Sequence, residues 1–232
     1  AAGRACRMRR WLLALLCARF PQRTLCHACG APLMGEDGLL CPVCEASLRA
    51  CAVPKHQVET VVDVHIETAA APFVYDGAAA ALVKALKFGG DHTAALPLAE
   101  GMAAAYTTVA MLREASLCVP VPVHYRRLRR RGYNQAEVLA AAFCELAGRR
   151  PPMDALVRVH HKHSQVGMGH TARRMSIMGA FAVSTAGEKA VRGRTVLLVD
   201  DVLTTGSTAA ECAMVLMDAG AEAVLLLTAC RA

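Results

Sequence analysis

Aromatic residues are scarce in this chain: one Trp, four Tyr and five Phe, or 4% of 232 residues. Within a hydrophobic content of 55%, the core must be built from Ala, Val and Leu. That composition fits a packed α/β domain and argues against a disordered chain. Long apolar runs are missing too, and none approaches the roughly 20 residues that cross a bilayer. There are no internal repeats and no low-complexity tail. The cysteines number eleven, an odd count that argues against a fully disulfide-bonded secreted domain. The opening RACRMRRWLLALLCARF superficially resembles a signal peptide. However, its apolar run is short, Arg19 follows at once, and no small-x-small cleavage pattern appears. Residues 1–24 read instead as an amphipathic lead-in. Paired thiols suit a reducing compartment, so the expected location is cytoplasmic.

The net charge of +7 is concentrated. Arg126, Arg127, Arg129, Arg130 and Arg131 fall within six positions, and the excess elsewhere is thin. A polyanionic partner or a phosphorylated ligand fits such a cluster, although net charge alone decides neither.

Four cysteines form two tight pairs. Cys26 and Cys29 (CHAC) and Cys41 and Cys44 (CPVC) are separated by eleven residues. Two such knuckles present four thiolates tetrahedrally to one ion, as structural zinc requires. Gly30 and Pro42 supply turns. A thioredoxin-like redox pair needs one C-x-x-C opening a helix after a strand, a setting neither pair is expected to have. With four protein ligands no position stays open, so the Zn2+ is expected to be structural. His27 and Cys51 lie close enough to substitute as ligands and are expected not to. The HHKH run at 160–163 reads as polar or phosphate-contacting, not as a second metal site.

The chain divides into the lead-in 1–24, a cysteine module 25–52 and an α/β domain 53–232. Alternation in VETVVDVHIE and the turn after APFVYDG give 53–76 a β character. Helices are expected over 78–90, 94–113 and 134–148, the last capped by Asn134 and stopped by Gly148. LCVPVPV (117–123) reads as a buried strand with its prolines at the exit end. Residues 157–180 read as a mobile basic loop. A strand over 195–200, a helix over 207–219 and a strand over 222–229 complete the pattern. Buried strands alternating with helices imply a mainly parallel sheet.

The chemistry concentrates in TVLLVDDVLTTGST (195–208). Its strand delivers Asp200 and Asp201 to the carboxyl end of the sheet, where open α/β folds bind ligands. Gly206 permits the backbone conformation of an anion-binding nest. Thr204, Thr205, Ser207 and Thr208 then place amides and hydroxyls at the start of the next helix. Carboxylates repel phosphate; they suit ribose hydroxyls or hydrated Mg2+. Phosphate at one end and vicinal hydroxyls at the other describe a ribose 5-phosphate. No G-x-x-x-x-G-K-[ST] loop is present, and GMGHTA (167–172) lacks the strand and third small residue of a dinucleotide motif.

VLLVDDVLTTGST resembles the PRPP-binding motif of type I phosphoribosyltransferases. More narrowly, the chain from about residue 11 onward resembles the ComF (GntX-like) family of amidophosphoribosyltransferase-like proteins associated with natural competence. The similarity runs through LLCARFPQRTLCHACG, CPVC, LVKALKFGGD, VPVPVHYRRLRRRGYNQAEVLA and SQVGMGHTARRMSIMGAF. It implies a type I phosphoribosyltransferase-like fold in which Asp200 and Asp201 hold the ribose 2′- and 3′-hydroxyls and Thr204 to Thr208 bind the 5′-phosphate. It also implies a pyrophosphate-loop region at Pro120 to Val123 and the arginines that follow. A flexible loop would then surround Gln165, Arg173 and Arg174. Some members carry a second knuckle pair; residues 52–72 have none, so one zinc is expected.

As an enzyme, such a protein displaces pyrophosphate from C1 of PRPP with Mg2+ assisting departure. No base-recognition hood is assignable to a particular nucleobase, no N-terminal glutaminase is expected because the cysteine module stands where a catalytic cysteine would, and the acceptor is open. The competing reading is a non-catalytic PRPP or nucleotide sensor, or a single-stranded DNA-binding partner of DNA-uptake proteins. HYRRLRRRGYNQ, with Tyr125 and Tyr133 among its arginines, favours the latter.

Overall fold

Two nine-residue strands set the architecture, β7 (Thr195–Leu203) and β8 (Ala223–Arg231). Their apolar runs, TVLLV and AVLLLTAC, are what a parallel strand covered on both faces requires. They pair parallel, with Val196 opposite Val224 and Asp200 opposite Thr228. β4 (Leu117–Pro120) flanks β7, and β2 (Thr68–Ala70) flanks β8. The two-residue β3 (Phe73–Val74) pairs farther along β8, and β1 (Glu59–Thr60) closes the edge antiparallel to β2. The result is a mainly parallel α/β sheet, as the alternation of strands and helices predicts.

This computed structural model describes residues 25–33, 38–60, 63–159 and 179–232, with only the backbone at His56 and Thr60. The lead-in 1–24, the HHKH run, Gln165, Arg173 and Arg174 lie outside the described residues.

Period-2 alternation divides the core into two layers. Leu197, Val199, Leu225 and Leu227 face one cluster, and Val196, Leu198, Val224 and Leu226 face the other. The first layer is covered by α2 (Gly77–Phe88), α3 (Ala95–Thr108) and α5 (Gln135–Leu146). α7 (Ser207–Asp218) supplies Ala209, Cys212 and Leu216 to the second. No described helix is long and apolar enough to cross a membrane.

Several elements depart from the sequence reading. The stretch 53–76 forms only short strands, because its alternation is interrupted by a 3-10 turn and bends. The helix expected over 94–113 ends at Thr108; Val109 is extended, and a 3-10 segment follows over Ala110–Glu114. The arginine run, with Leu128 as its one apolar residue, is a helix, α4 (Tyr125–Arg131), stopped by Gly132 at φ 86°. The expected loop begins in β5 (Leu156–Arg158), which pairs antiparallel with β6 (Phe181–Val183). A short α6 (Thr185–Val191) follows, capped by Ser184. The second cysteine pair does open a helix, α1 (Pro42–Ala50), with Cys41 at the N-cap. Among the described residues no strand leads into it.

Candidate phosphate and ribose site

Strand alternation separates the two aspartates. Asp201 continues the face of Leu197 and Val199, toward α2, while Asp200 continues the face of Val196 and Leu198, toward α7. From the last turn of α2, Lys87 Nζ donates to Asp201 Oδ1 at 2.7 Å, and the Asp201 side chain is only 6% exposed. Asp201 Oδ2 is buried without a hydrogen-bond partner among the described residues. Asp200 Oδ1 accepts from the Asp201 backbone N–H at 2.8 Å. Burial, reinforced by the neighbouring Asp201 charge, pushes the Asp200 carboxyl up to about 8, against the opposing pull of Lys87 and Arg158. The two carboxylates therefore differ: Asp201 is an ion-paired anchor, and Asp200 is poised near neutrality.

Two adjoining cavities meet at this strand end. The larger, about 330 Å³, opens between Asp200, Asp201 and a set of cations. Its volume lies in the range of small-ligand sites. The smaller, about 60 Å³, is open to solvent and has Thr204, Thr205, Gly206, Ser207 and Thr208 along its wall. Asp200 and Thr208 line both. Gly206 has φ 74°, a left-handed conformation that a side chain would strain. It starts α7, so the first turn of that helix, with its partial positive charge, borders the small cavity. The Thr205 and Ser207 hydroxyls bond each other at 3.0 Å, which fixes the turn.

Helix α4 sorts the arginine run by face. Arg127, Arg130 and Arg131, spaced three and one apart, line the large cavity. Arg126 and Arg129 are exposed and outside that lining, and Arg126 Nε donates to the Tyr125 hydroxyl at 2.9 Å. Two further cations, Lys87 from α2 and Arg158 from β5, join the cavity wall. Five cations thus face two carboxylates, an excess suited to phosphate oxygens. Burial lowers the pKa of Arg158, and its guanidinium stacks on Phe181, 5.1 Å from the ring centroid. Sequence reasoning assigned no role to Lys87, Phe88, Gln135 or Arg158, all of which line the cavity. The stretch LVKALKFGGD held the only trace of the first two.

Asn134 Oδ1 caps α5 by accepting from Ala136 N at 3.1 Å, and its Nδ2 donates to Val121 O at 3.0 Å. This locks the exit of β4, where Val121, Pro122 and Val123 form the cavity wall, to the helix beyond α4.

The cysteine cluster is separate. The Sγ atoms of Cys26, Cys29, Cys41 and Cys44 lie within 4.8 Å of one another. Cys29 and Cys41 are 3.7 Å apart, close to the ~3.8 Å edge of a sulfur tetrahedron with ~2.3 Å metal–sulfur bonds. Burial raises the Cys26 pKa, but the backbone N–H groups of Cys29, Cys41 and Ala28 outweigh it and draw the thiol below its ordinary value. Burial and the neighbouring cysteines instead raise the pKa of the Cys44 thiol, so it is the mutual approach of the four sulfurs that makes these residues compatible with holding zinc. His27 instead pairs with Asp91, Nδ1 to Oδ2 at 2.5 Å, and Cys51 donates to Asp76 O at 3.2 Å. Both are thus used outside the cluster. Cys44, Leu48 and Cys51 share the core layer of Ala78 and Leu82, so α1 is packed against α2.

No protein-family model matches the chain. The DNA utilization protein YhgH of Escherichia coli K12 is 30% identical over 228 residues, covering 95% of this chain and 91% of its own length. Competence protein F of Haemophilus influenzae is 35% identical over 106 residues, 46% of each chain. Among solved structures, a glutamine phosphoribosylpyrophosphate amidotransferase from B. subtilis aligns at TM-score 0.43 and 20% identity. That alignment covers 64% of this chain and 30% of the longer one.

Proposed function

The chain belongs to the ComF family, together with YhgH and competence protein F, and from that premise we propose that it is a phosphoribosyl-binding protein acting in DNA uptake or utilization. The observation that carries the ligand assignment is the pair of adjoining cavities joined at Asp200 and Thr208. A 5′-phosphate fits the threonine turn, and ribose hydroxyls fit the carboxylate of Asp200. Asp201, held by Lys87, positions the strand end and supplies negative charge to the ribose side.

PRPP extends this ligand by a pyrophosphate at C1, which Arg127, Arg130, Arg131 and Arg158 are placed to neutralise. Asp200, once deprotonated, and Asp201 Oδ2, which has no hydrogen-bond partner among the described residues, are hard oxygen donors of the kind Mg2+ takes. Mg2+, when bound, would neutralise pyrophosphate charge as it leaves C1. The chain's own part in transfer is to fix the sugar through the turn and the acid pair while its arginines hold the departing anion. Pyrophosphate release from PRPP, screened against amines and nucleobases, tests this. Turnover that disappears in Asp200→Asn supports transfer. Saturable PRPP binding without turnover leaves a sensor.

The outward face of α4 favours a second role. Arg126 and Arg129 are exposed there beside Tyr125 and Leu128, a basic surface with an aromatic suited to single-stranded DNA. Affinity for a short single strand should fall steeply with salt, and Arg126→Ala/Arg129→Ala should flatten that slope by about two phosphate contacts. The cysteine cluster is proposed to hold one structural Zn2+, whose loss would loosen α1 from α2.

A further inference from the structure

Phe88 is 71% exposed, a costly placement for one of only five phenylalanines. It ends α2 directly after Lys87, and its ring lines the same cavity as Asp200 and Asp201. One part of the ring meets the Arg131 guanidinium, 5.7 Å from the centroid; most of its surface stays open. Arg131 is itself oriented by Gln135, whose Oε1 accepts from Nη1. Phe88 is the only aromatic on the wall of this cavity among the described residues. Lys87, the residue before it, reaches Asp201, and Phe88 and the acid pair border one cavity.

We propose that Phe88 is the stacking platform for a planar base carried on C1 of the bound ribose 5-phosphate, with Arg131 bracing the ring. This rests on the phosphoribosyl reading and adds the class of group beyond the sugar: a nucleobase, in a nucleoside 5′-monophosphate. A phenyl ring offers no hydrogen bond, so it selects a flat π surface and tolerates different bases. The charge pattern agrees. Phosphate and ribose are met by polar groups, and the one aromatic surface among the described residues of the cavity wall, beside the aliphatic Val121, Pro122 and Val123, is left for the part of a nucleotide that is flat and uncharged.

Calorimetric titration of the full chain with ribose 5-phosphate, AMP and UMP, using wild type, Phe88→Ala and Phe88→Trp, tests it. Wild type should bind both nucleotides more tightly than ribose 5-phosphate. Phe88→Ala should weaken nucleotide binding about 5- to 100-fold while ribose 5-phosphate affinity stays within about twofold, and Phe88→Trp should retain the gain. Indole fluorescence of Phe88→Trp should change with AMP and not with ribose 5-phosphate. Equal affinity of wild type for AMP and ribose 5-phosphate overturns the base subsite, as does a nucleotide gain that survives Phe88→Ala. A Phe88 effect seen only with single-stranded oligonucleotides also overturns it. If wild type binds no ribose 5-phosphate, the phosphoribosyl reading itself falls, and the base subsite with it.

Discussion

Lys87 Nζ lies 2.7 Å from Asp201 Oδ1, joining the end of α2 to the mouth of the central strand across more than a hundred residues of chain. With Asp201 almost wholly buried, removal of the ammonium leaves a carboxylate that must either stay charged without its partner or take up a proton. Lys87→Met should therefore destabilise the protein by about 3 kcal/mol, at the low end for a broken buried pair because Lys87 keeps part of its side chain in solvent. Urea denaturation measures this. Lys87→Met/Asp201→Asn should recover most of the loss, since neither charge then remains buried alone.

Asp200 sets a pH dependence of opposite sign to a typical paired carboxylate. Its folded pKa is raised, to about 8, from an unfolded value near 4. Between those values the folded chain holds the proton more tightly than the unfolded one, so stability falls as pH rises through that window. Asp200→Asn mimics the neutral form and removes the slope. Thermal melting of the ligand-free proteins should show the Asp200→Asn variant gaining on wild type from about pH 5 to about pH 9. Ribose hydroxyls, as donors, should bind better to wild type as the carboxyl loses its proton over the upper part of that range.

The threonine turn depends on Gly206 in a left-handed conformation. Gly206→Ala should cost about 1 kcal/mol of stability and weaken ribose 5-phosphate binding by more than that strain alone, because the amides of the turn are displaced. Comparison of denaturation and calorimetry on the same variant separates the two effects.

How much of this site the sequence revealed follows from how local each feature is. Strand, acid pair, turn and helix over 195–218 are contiguous, and their residue types alone predicted the order that the fold adopts. The four cysteines were legible for the same reason, as was Asn134 as a helix cap. The Lys87–Asp201 pair was not, because the docking of α2 on the sheet creates it and no local pattern marks it. The arginine run gave no helical periodicity, having Leu128 as its only apolar residue, so its partition into inward and outward arginines became visible only once α4 had a face. Between 53 and 76 apolar alternation suggested longer strands than the chain makes.

Glu211 links α7 to the residue preceding β6. Its Oε1 accepts from the backbone N–H of Ala180 at 2.7 Å, while its Oε2 is buried without a partner among the described residues. Burial raises its pKa, against the hydrogen bonds of Ala180, Gly179 and Phe181. A carboxylate held in this way ties α7 to the start of β6, on the side of the sheet opposite Lys87.

The cysteine cluster should hold about one equivalent of zinc in purified protein, measured by elemental analysis. Cys26→Ser/Cys41→Ser should abolish it and lower the melting temperature, because Cys26 and Cys44 belong to the same buried layer as α2. His27→Ala should keep the metal, since His27 is committed to Asp91.

The central claim is that one ligand spans both cavities, and the most direct measurement is calorimetric titration with ribose 5-phosphate, free ribose and inorganic phosphate. Ribose 5-phosphate should bind at least about 100-fold more tightly than either fragment, with the advantage falling about tenfold or more in both Asp200→Asn and Ser207→Ala. Ribose 5-phosphate binding no tighter than phosphate, or binding unchanged by either substitution, would contradict the account.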